Sequence, residues 1–318
     1  MYDPTKPYKK QILEIAGLTY NSPYAKAKKG VYTQVKKKFP YMFYPDISHP
    51  DGIGTKGIYH WQHKTFRNAA LDALAMNLND IILERATPYK LDDTIKIPED
   101  DHRAIIEIVE TISEECTKRG IILSGGETSI HNNSNEVDII IDVTGFVRKP
   151  KPNQFKIGDV LIGIASSGLH SNGFTKVREV FGDEFRPEFV EPTRIYLDDV
   201  LRLERKYDIH GMMHITGGAF TKLKDILKGA DAHIYNGHML EPQPIFHELN
   251  KRGVSDEEMY RTFNCGIGFV LGVPKKQADN LIDDISIAFD EADIIGEVMP
   301  GNGKVSIDSM FSERRVEY

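Results

Sequence analysis

The sequence predicts two domains of mixed helices and strands, and three observations lead there. The first is length: 318 residues, at about 150 residues per domain, divide into two units that can each bury a core. The second is composition, 40% hydrophobic and 27% charged, which is that of an ordinary soluble globular protein. The third is a recurring local pattern: short apolar runs of strand length lead into polar, glycine-bearing loops that open helices. That pattern aims backbone N–H groups and the positive end of a helix at an anion.

Charge and cysteine usage exclude several classes. A net charge of -7 argues against a general nucleic-acid binder, which needs a basic face to displace phosphate counterions, although local basic patches remain open. The two cysteines, Cys116 and Cys265, are far apart and outside any Cys-x-x-Cys spacing, so neither a zinc site nor a disulfide framework is indicated. A reduced, cytoplasmic setting is expected. Met1-Tyr2-Asp3-Pro4-Thr5-Lys6 lacks the basic start and apolar core of a signal peptide, and no stretch reaches the roughly 18 apolar residues of a membrane span.

From the N-terminus, the opening segment is basic and aromatic, with Lys26, Lys28 and Lys29 and then Lys36, Lys37 and Lys38. Such lysines are either a solvated face or phosphate contacts. His49-Pro50-Asp51-Gly52-Ile53-Gly54-Thr55-Lys56 follows. Gly52 and Gly54 let the backbone bend close to a ligand, and Asp51, Thr55 and Lys56 put an anion, a hydroxyl and a cation in one loop. Those are the parts of a metal-bridged phosphate site, and equally of a charged surface turn; the loop is neither Walker A nor Gly-x-Gly-x-x-Gly. Ala70, Leu71, Leu74, Ala75 and Leu78 are at helical spacing, so a helix is expected over 66–78 with Thr65 as N-cap, ending near Asn79-Asp80. A carboxylate at the end of an apolar helix needs a cation or hydrogen bonds, so Asp80 joins Asp51 as a candidate Mg²⁺ ligand, or caps the next segment. Pro98-Glu99-Asp100-Asp101 opens a second helix whose Ile105, Val109, Ile112 and Cys116 form one stripe before Gly120 stops it. The strand Ile121–Leu123 then runs into Ser124-Gly125-Gly126-Glu127-Thr128, where paired glycines would bring N–H groups to an anion and Glu127 offers a third carboxylate for Mg²⁺. After the strand Asp138–Val147, the polar, proline-bearing stretch Arg148–Asn153 marks the boundary between domain 1–150 and domain 151–318.

The second half opens with the strand Asp159–Ala165, the loop Ser166-Ser167-Gly168-Leu169-His170-Ser171-Asn172-Gly173 and a helix from Phe174. His170 is a candidate acid, base or hydrogen-bond donor there, or an incidental turn histidine. His214-Ile215-Thr216-Gly217-Gly218 repeats the arrangement before a helical 221–227, and Glu258–Gly268 combines Arg261, whose fork suits phosphate, with glycines entering the strand Phe269–Leu271.

These motifs, together with Pro192-Thr193-Arg194-Ile195-Tyr196, resemble in kind and order those of the aminoimidazole ribonucleotide synthetases, or phosphoribosylformylglycinamidine cyclo-ligases, from about residue 50 to 300. The resemblance implies two α/β (α+β) domains of PurM-like fold: an N-terminal ATP-binding and dimerisation domain and a C-terminal substrate domain. It implies a cytoplasmic homodimer in purine biosynthesis that converts formylglycinamidine ribonucleotide and ATP to aminoimidazole ribonucleotide, ADP and phosphate. Carried onto this chain, it makes Asp51 and Asp80, with Glu127, the Mg²⁺ ligands. Gly52, Gly54, Thr55, Lys56, Asn79, Gly125, Gly126 and Thr128 become ATP contacts. Ser167, His170, Ser171, Asn172, Thr193, Arg261 and Asn264 become substrate contacts, with Asp51, Lys56, Asp80 and His170 the catalytic set. The sequence departs from the family in four places, one of them the strand after Pro88, apolar in the family and here the more polar Tyr89-Lys90-Leu91-Asp92-Asp93-Thr94. A Tyr-x-x-Ala-Gly-Val-Asp-Ile-Asp-type opening has no clear counterpart, Gly-Ala-Glu-Pro stands as Arg85-Ala86-Thr87-Pro88, and Leu169 replaces a common proline. An ATP-dependent relative acting on another small substrate and a non-catalytic, nucleotide-binding paralogue are the alternatives.

Overall fold

Pro150 closes the first of two units in the computed structural model, Met1–Pro150 and Lys151–Tyr318; the structure describes residues 8–30, 32–286 and 291–318. In chain order the first unit comprises α1 (Lys9–Gly17), β1 (Ala25–Lys28), β2 (Gln34–Lys37), β3 (Asp46–Gly52), α2 (Gly57–His63), α3 (Phe66–Ile81), β4 (Ala86–Ile97), α4 (His102–Arg119), β5 (Ile122–Ile130) and β6 (Asp138–Val147).

Its central sheet has four strands in the order β3-β6-β4-β5. β4 runs parallel to β5, and β6 is antiparallel to both β3 and β4. From Lys90 onward β4 alternates as a half-covered strand should: Leu91, Asp93, Ile95 and Ile97 are buried on the side of α3 and α4, while Asp92, Thr94 and Lys96 point the other way. Small residues let α3 lie close to that face, with Ala69, Ala70, Ala73 and Leu74 all fully buried. α4 starts where expected, the Asp101 side chain accepting from the Ala104 N–H at 3.0 Å, and ends at Gly120 in left-handed backbone.

The basic N-terminal segment is an antiparallel hairpin, β1 on β2, whose rear packs with Tyr20, Tyr24, Tyr41 and Tyr44 onto Tyr89, Ile122 and Phe146. Lys26 and Lys28 alternate with Ala25 and Ala27 along β1, and Lys36 and Lys37 fall on successive positions of β2. α3 continues through Asn79 and Asp80 to Ile81. Gly125-Gly126-Glu127 lies inside the edge strand β5, which runs on to Ile130, so these glycines do not follow the strand as expected but are part of it.

The second unit comprises β7 (Asp159–Ala165), α5 (Phe174–Phe181), α6 (Leu197–Lys206), β8 (Gly211–His214), β9 (Ala230–Ile234), α7 (Pro244–Lys251), α8 (Asp256–Thr262), β10 (Ile267–Pro274), α9 (Ala278–Ser286), β11 (Ala292–Pro300), β12 (Val305–Asp308) and β13 (Arg315–Glu317). A seven-stranded sheet runs in the order β13-β12-β9-β11-β7-β10-β8, with β12 and β9 parallel and the other pairs antiparallel. β7 is buried along its whole length between β10 and β11, as its unbroken apolar run requires. The loop that leaves β7 is thereby fixed to a strand buried along its whole length. Residues 219–226 form a 3₁₀ segment where a helix was expected.

Candidate functional site

In the first unit the glycine loop leaves the end of β3. α3 brings Asp80 to the same end of β3 as Asp51: the Asn77 amide, one turn before Asp80 on α3, donates to the Asp51 carbonyl at 3.0 Å, and His49 Nε2 lies 3.6 Å from Asp80 Oδ2. Asp51 Oδ1 accepts the Gly52 N–H at 2.7 Å. Asp51 and Asp80 are both half-buried, and Gly54 has φ of 60°, so Gly54 and the exposed Thr55 form the outward tip of the loop. Two half-buried hard-oxygen donors fit Mg²⁺, which takes one or two carboxylates and completes its shell with water and phosphate oxygens.

Other members of the anticipated site lie elsewhere. Glu127 cannot share an ion with Asp51. Asp51 pairs with Ile141, Ile141 with Asp93 and Asp93 with Gly126, so β3 and β5 are three strand spacings apart, about 14 Å. Glu127 also pairs with Thr94, in the next row, and so projects from the opposite face of the sheet. Among the described residues no group of three or more His, Cys, Asp or Glu could hold a metal ion. The same spacing separates Gly125, Gly126 and Thr128 from the loop. Asn79 is fully buried in α3, out of reach of a solvent-borne phosphate. Lys56 is likewise 0% exposed; its ammonium lies 2.8 Å from Asp72 Oδ2 and donates to Oδ1 at 3.0 Å. His60 Nε2 reaches the same Oδ2 at 2.7 Å, and His60 Nδ1 is 2.7 Å from Thr65 Oγ1. Thr65 occupies the N-cap of α3, yet its side chain makes no capping bond. Burial would raise the Asp72 carboxyl, but the Lys56 charge and the His60 N–H outweigh it and hold the group well below the ordinary carboxylate range. Burial lowers His60 by more than its bond to Asp72 raises it. The neutral ring then donates from Nε2 to Asp72 and accepts the Thr65 hydroxyl proton at Nδ1.

Sequence reasoning also missed a carboxyl pair beside β5. Ser124 Oγ donates to Asp92 Oδ1 at 2.6 Å, and Lys90 lies 2.7 Å from Asp92. Asp93 points inward toward Cys116 on α4, in space that exists because residue 126 is glycine: a Cβ there would lie 2.1 Å from Asp93 Oδ1. Burial first, and the Asp92 charge second, push the Asp93 carboxyl up to about 7.

In the second unit the loop after β7 is clasped on every side. Ser167 Oγ donates to the Pro192 carbonyl at 2.7 Å, Ser171 and Thr193 hydroxyls lie 2.9 Å apart, and the Asn172 amide donates to Thr216 Oγ1. Asn264 uses both ends, donating to the Gly168 carbonyl at 2.7 Å and accepting the Gly266 N–H at 3.0 Å. His170 is 2% exposed with φ of 61°, a conformation that non-glycine residues adopt rarely. Its Nε2 accepts the Ser167 N–H at 3.2 Å. A backbone amide can only donate, so the imidazole is neutral with its proton on Nδ1. Beneath the loop the Tyr196 hydroxyl donates to the Ala165 carbonyl at 2.7 Å, and a Cβ at position 268 would lie 2.0 Å from that hydroxyl and 2.7 Å from His170 Cε1. Gly268 is therefore what admits both rings.

The structure removes Arg261 from this cluster. It is exposed on α8, paired with Glu257 one turn earlier at 2.6 Å and 5.6 Å from the Tyr318 ring centroid. The cation that does reach the loop is Arg194, which donates to the Ala165 carbonyl at 3.3 Å. Arg194 and Thr216 stand in motifs quoted above but carry no role there, and Gln243, which donates to the Ser166 carbonyl at 2.9 Å, lies in none; the clasp in three dimensions identifies all three.

Two outcomes follow from this geometry. The raised Asp93 carboxyl keeps its proton in the folded state after the unfolded chain has lost it, so it costs stability as pH rises from about 4 to 7, and the cost persists above. Asp93→Asn is expected to stabilise the protein by a few kcal/mol at pH 8 and by little near pH 4, read as urea midpoints at both pH values. Gly268→Ala is expected to force Tyr196 and His170 apart and lower turnover by about 100-fold. Adding Tyr196→Phe, which removes the hydroxyl oxygen the new methyl would meet, should recover part of that loss in the same assay.

Comparison with known proteins matches both units. Residues 47–147 match the family described as AIR synthase related protein, N-terminal domain, and residues 156–308 match AIR synthase related protein, C-terminal domain. The chain is 35% identical over 276 residues to a phosphoribosylformylglycinamidine cyclo-ligase of Clostridium novyi, covering 82% of this chain and 83% of the relative. It is also 35% identical over 285 residues to that of Methanococcus vannielii, covering 84% and 80%. A crystal structure of the hydrogenase maturation protein HypE in complex with ATP superposes with a TM-score of 0.68 at 14% identity, covering 98% of this chain and 94% of that one, which is a likeness of fold. No described helix is long and apolar enough to cross a membrane. By its match across both domains, the chain belongs to the AIR synthase related family, on the branch of the phosphoribosylformylglycinamidine cyclo-ligases.

Proposed function

We propose that this chain closes the imidazole ring of purine biosynthesis, converting formylglycinamidine ribonucleotide and ATP to aminoimidazole ribonucleotide, ADP and phosphate. The observation that carries the reading is kinship with cyclo-ligases at 35% identity across 82% of the chain. An amide oxygen leaves poorly. ATP phosphorylates the formyl oxygen, the amidine nitrogen attacks the same carbon, and the C–O bond breaks to release inorganic phosphate. Phosphoryl transfer asks the protein chiefly for positioning and charge neutralisation.

Each unit supplies a part. Asp51 and Asp80 would hold Mg²⁺, which would supply charge neutralisation on the phosphates. The N–H groups of the Gly52–Thr55 segment and the Thr55 hydroxyl orient the triphosphate. In the second unit Ser167 and Asn172, both partly exposed on the loop, contact the substrate together with Gly217 and Gly218, and Arg194 offers the cation for its phosphate. His170, Ser171, Thr193 and Asn264 act from within, fixing the loop's shape. Ring closure within one held molecule has a high effective molarity, so the loop's main task is to present the amidine and formyl groups together. The working form is a cytoplasmic homodimer. The sheet face opposite α3 and α4, which carries Asp92, Thr94 and Lys96 with Lys96 bonded to Asp138 at 3.0 Å, is the surface for the second copy.

Purified protein given Mg·ATP and formylglycinamidine ribonucleotide should release ADP and form the aminoimidazole in equal amounts, with neither product when one substrate is omitted. Asp51→Asn should abolish both while leaving circular dichroism and melting unchanged. Turnover at the wild-type rate in that variant would remove Asp51 from the phosphate site, and ATP binding without turnover in the wild type would favour the nucleotide-binding paralogue.

A further inference from the structure

The residue order Gly54-Thr55-Lys56 would aim a lysine at a phosphate, yet the ammonium lies inside the protein. We propose that Lys56, Asp72 and His60 are positioning residues: a buried charge network that sets the Asp51–Thr55 segment from beneath and so places Asp51 and the loop amides on the nucleotide phosphates. The proposal rests on the ATP-dependent reading above and goes beyond it, because it replaces a phosphate ligand with an internal anchor and adds two residues that no motif marks.

The geometry supports this in three steps. Lys56 uses both oxygens of one carboxylate, at 2.8 Å and 3.0 Å, and Asp72 also receives His60 at 2.7 Å. Lys56, His60 and Asp72 are each 0% exposed. A buried carboxylate with three such bonds has one low-energy position, and a lysine left without it would be an uncompensated charge. The network is then tied into its surroundings: His60 belongs to α2, Asp72 to the middle of α3, and Thr65, which meets His60 Nδ1 at 2.7 Å, to the start of α3. Finally, the loop is pinned on both sides of its tip. The Ile53 N–H donates to the Ile139 carbonyl at 3.1 Å, and the Gly57 carbonyl accepts the Val137 N–H at 3.3 Å. With Ile53 wholly buried and Lys56 anchored, only Gly54 and Thr55 project. The lysine stem thus acts as a strut between the loop and α3, the helix that also carries Asn77 and Asp80.

A double-mutant cycle on the full-length protein separates the strut from a phosphate ligand. Lys56→Gln and Asp72→Asn singly leave a buried charge without its partner, whereas the double variant restores a neutral amide pair. Two readouts are taken: kcat/KM for ATP, and hydrogen exchange at the amides of residues 53–56. The network predicts that each single variant lowers kcat/KM by about 100-fold and accelerates exchange, and that the double variant returns to within about tenfold of wild type on the first measure, with slow exchange restored. A near-normal Asp72→Asn, with Lys56→Gln and the double variant equally impaired, would mean that Lys56 itself meets phosphate and would overturn the proposal. Should the single variants fail to fold, the double decides: a folded double with slow exchange and recovered turnover supports the strut, and a folded double as inactive as substitution at Asp51 contradicts it. If wild type shows no ATP turnover, the reaction assigned above fails, while exchange in the same variants still tests the anchor; unchanged exchange in Asp72→Asn contradicts it.

Discussion

A lysine ammonium with no access to water must keep its carboxylate, and the first unit is arranged around that requirement. Lys56 and Asp72 are 0% exposed, so α3 must approach the glycine loop closely enough to deliver Asp72, and α2 must turn so that His60 fills the remaining acceptor position. The same approach brings Asn77 under the Asp51 carbonyl at 3.0 Å and Asp80 to the end of β3. A charge pair that adds little net stability because of its desolvation cost can still fix one arrangement of three elements. Here that arrangement defines where the two candidate metal-binding carboxylates sit.

The second unit reaches a comparable rigidity by different means. Its loop is held by hydroxyls, amides and a neutral imidazole bonded to backbone groups and to one another, and Gly268 leaves space that Tyr196 and His170 fill. Most of the polar side chains in the loop are consumed in holding it. What faces a ligand is the rim, where Gly217 and Gly218 are exposed and Ser167 and Asn172, themselves bonded into the clasp, are partly exposed. A loop held in this way is ordered before substrate arrives and loses little freedom on binding.

Much of this was legible in the sequence, and the misses share a cause. Helical spacing marked α3 and α4, the Asp101 and Gly120 stops bounded α4, and motif order pointed to the family, which the relatives bear out. Motif spacing could not say which way a side chain turns. Lys56 and Asn79 stand in phosphate-like patterns and point inward, because burial is set by the alternation of the whole element and not by neighbouring letters. Glu127 looked like a third ligand because it is an acid after two glycines; sheet order β3-β6-β4-β5 puts it three strands away, and strand order is a long-range property. Arg261 sat in the right motif but four residues after Glu257, whose carboxylate claims it on the helix surface. The N-terminal hairpin escaped notice because lysine-rich strands lack the apolar alternation that signals a sheet.

In the proposed reaction ATP activates the formyl oxygen for expulsion by the amidine nitrogen. The most direct measurement is an isotope trace: formylglycinamidine ribonucleotide labelled with ¹⁸O in its formyl group, incubated with the protein and Mg·ATP, followed by mass analysis of the released phosphate. The expected result is one ¹⁸O atom in inorganic phosphate for each aminoimidazole formed. Unlabelled phosphate, with the label released to water, would contradict it by showing that ATP hydrolysis and ring closure are not joined through that oxygen.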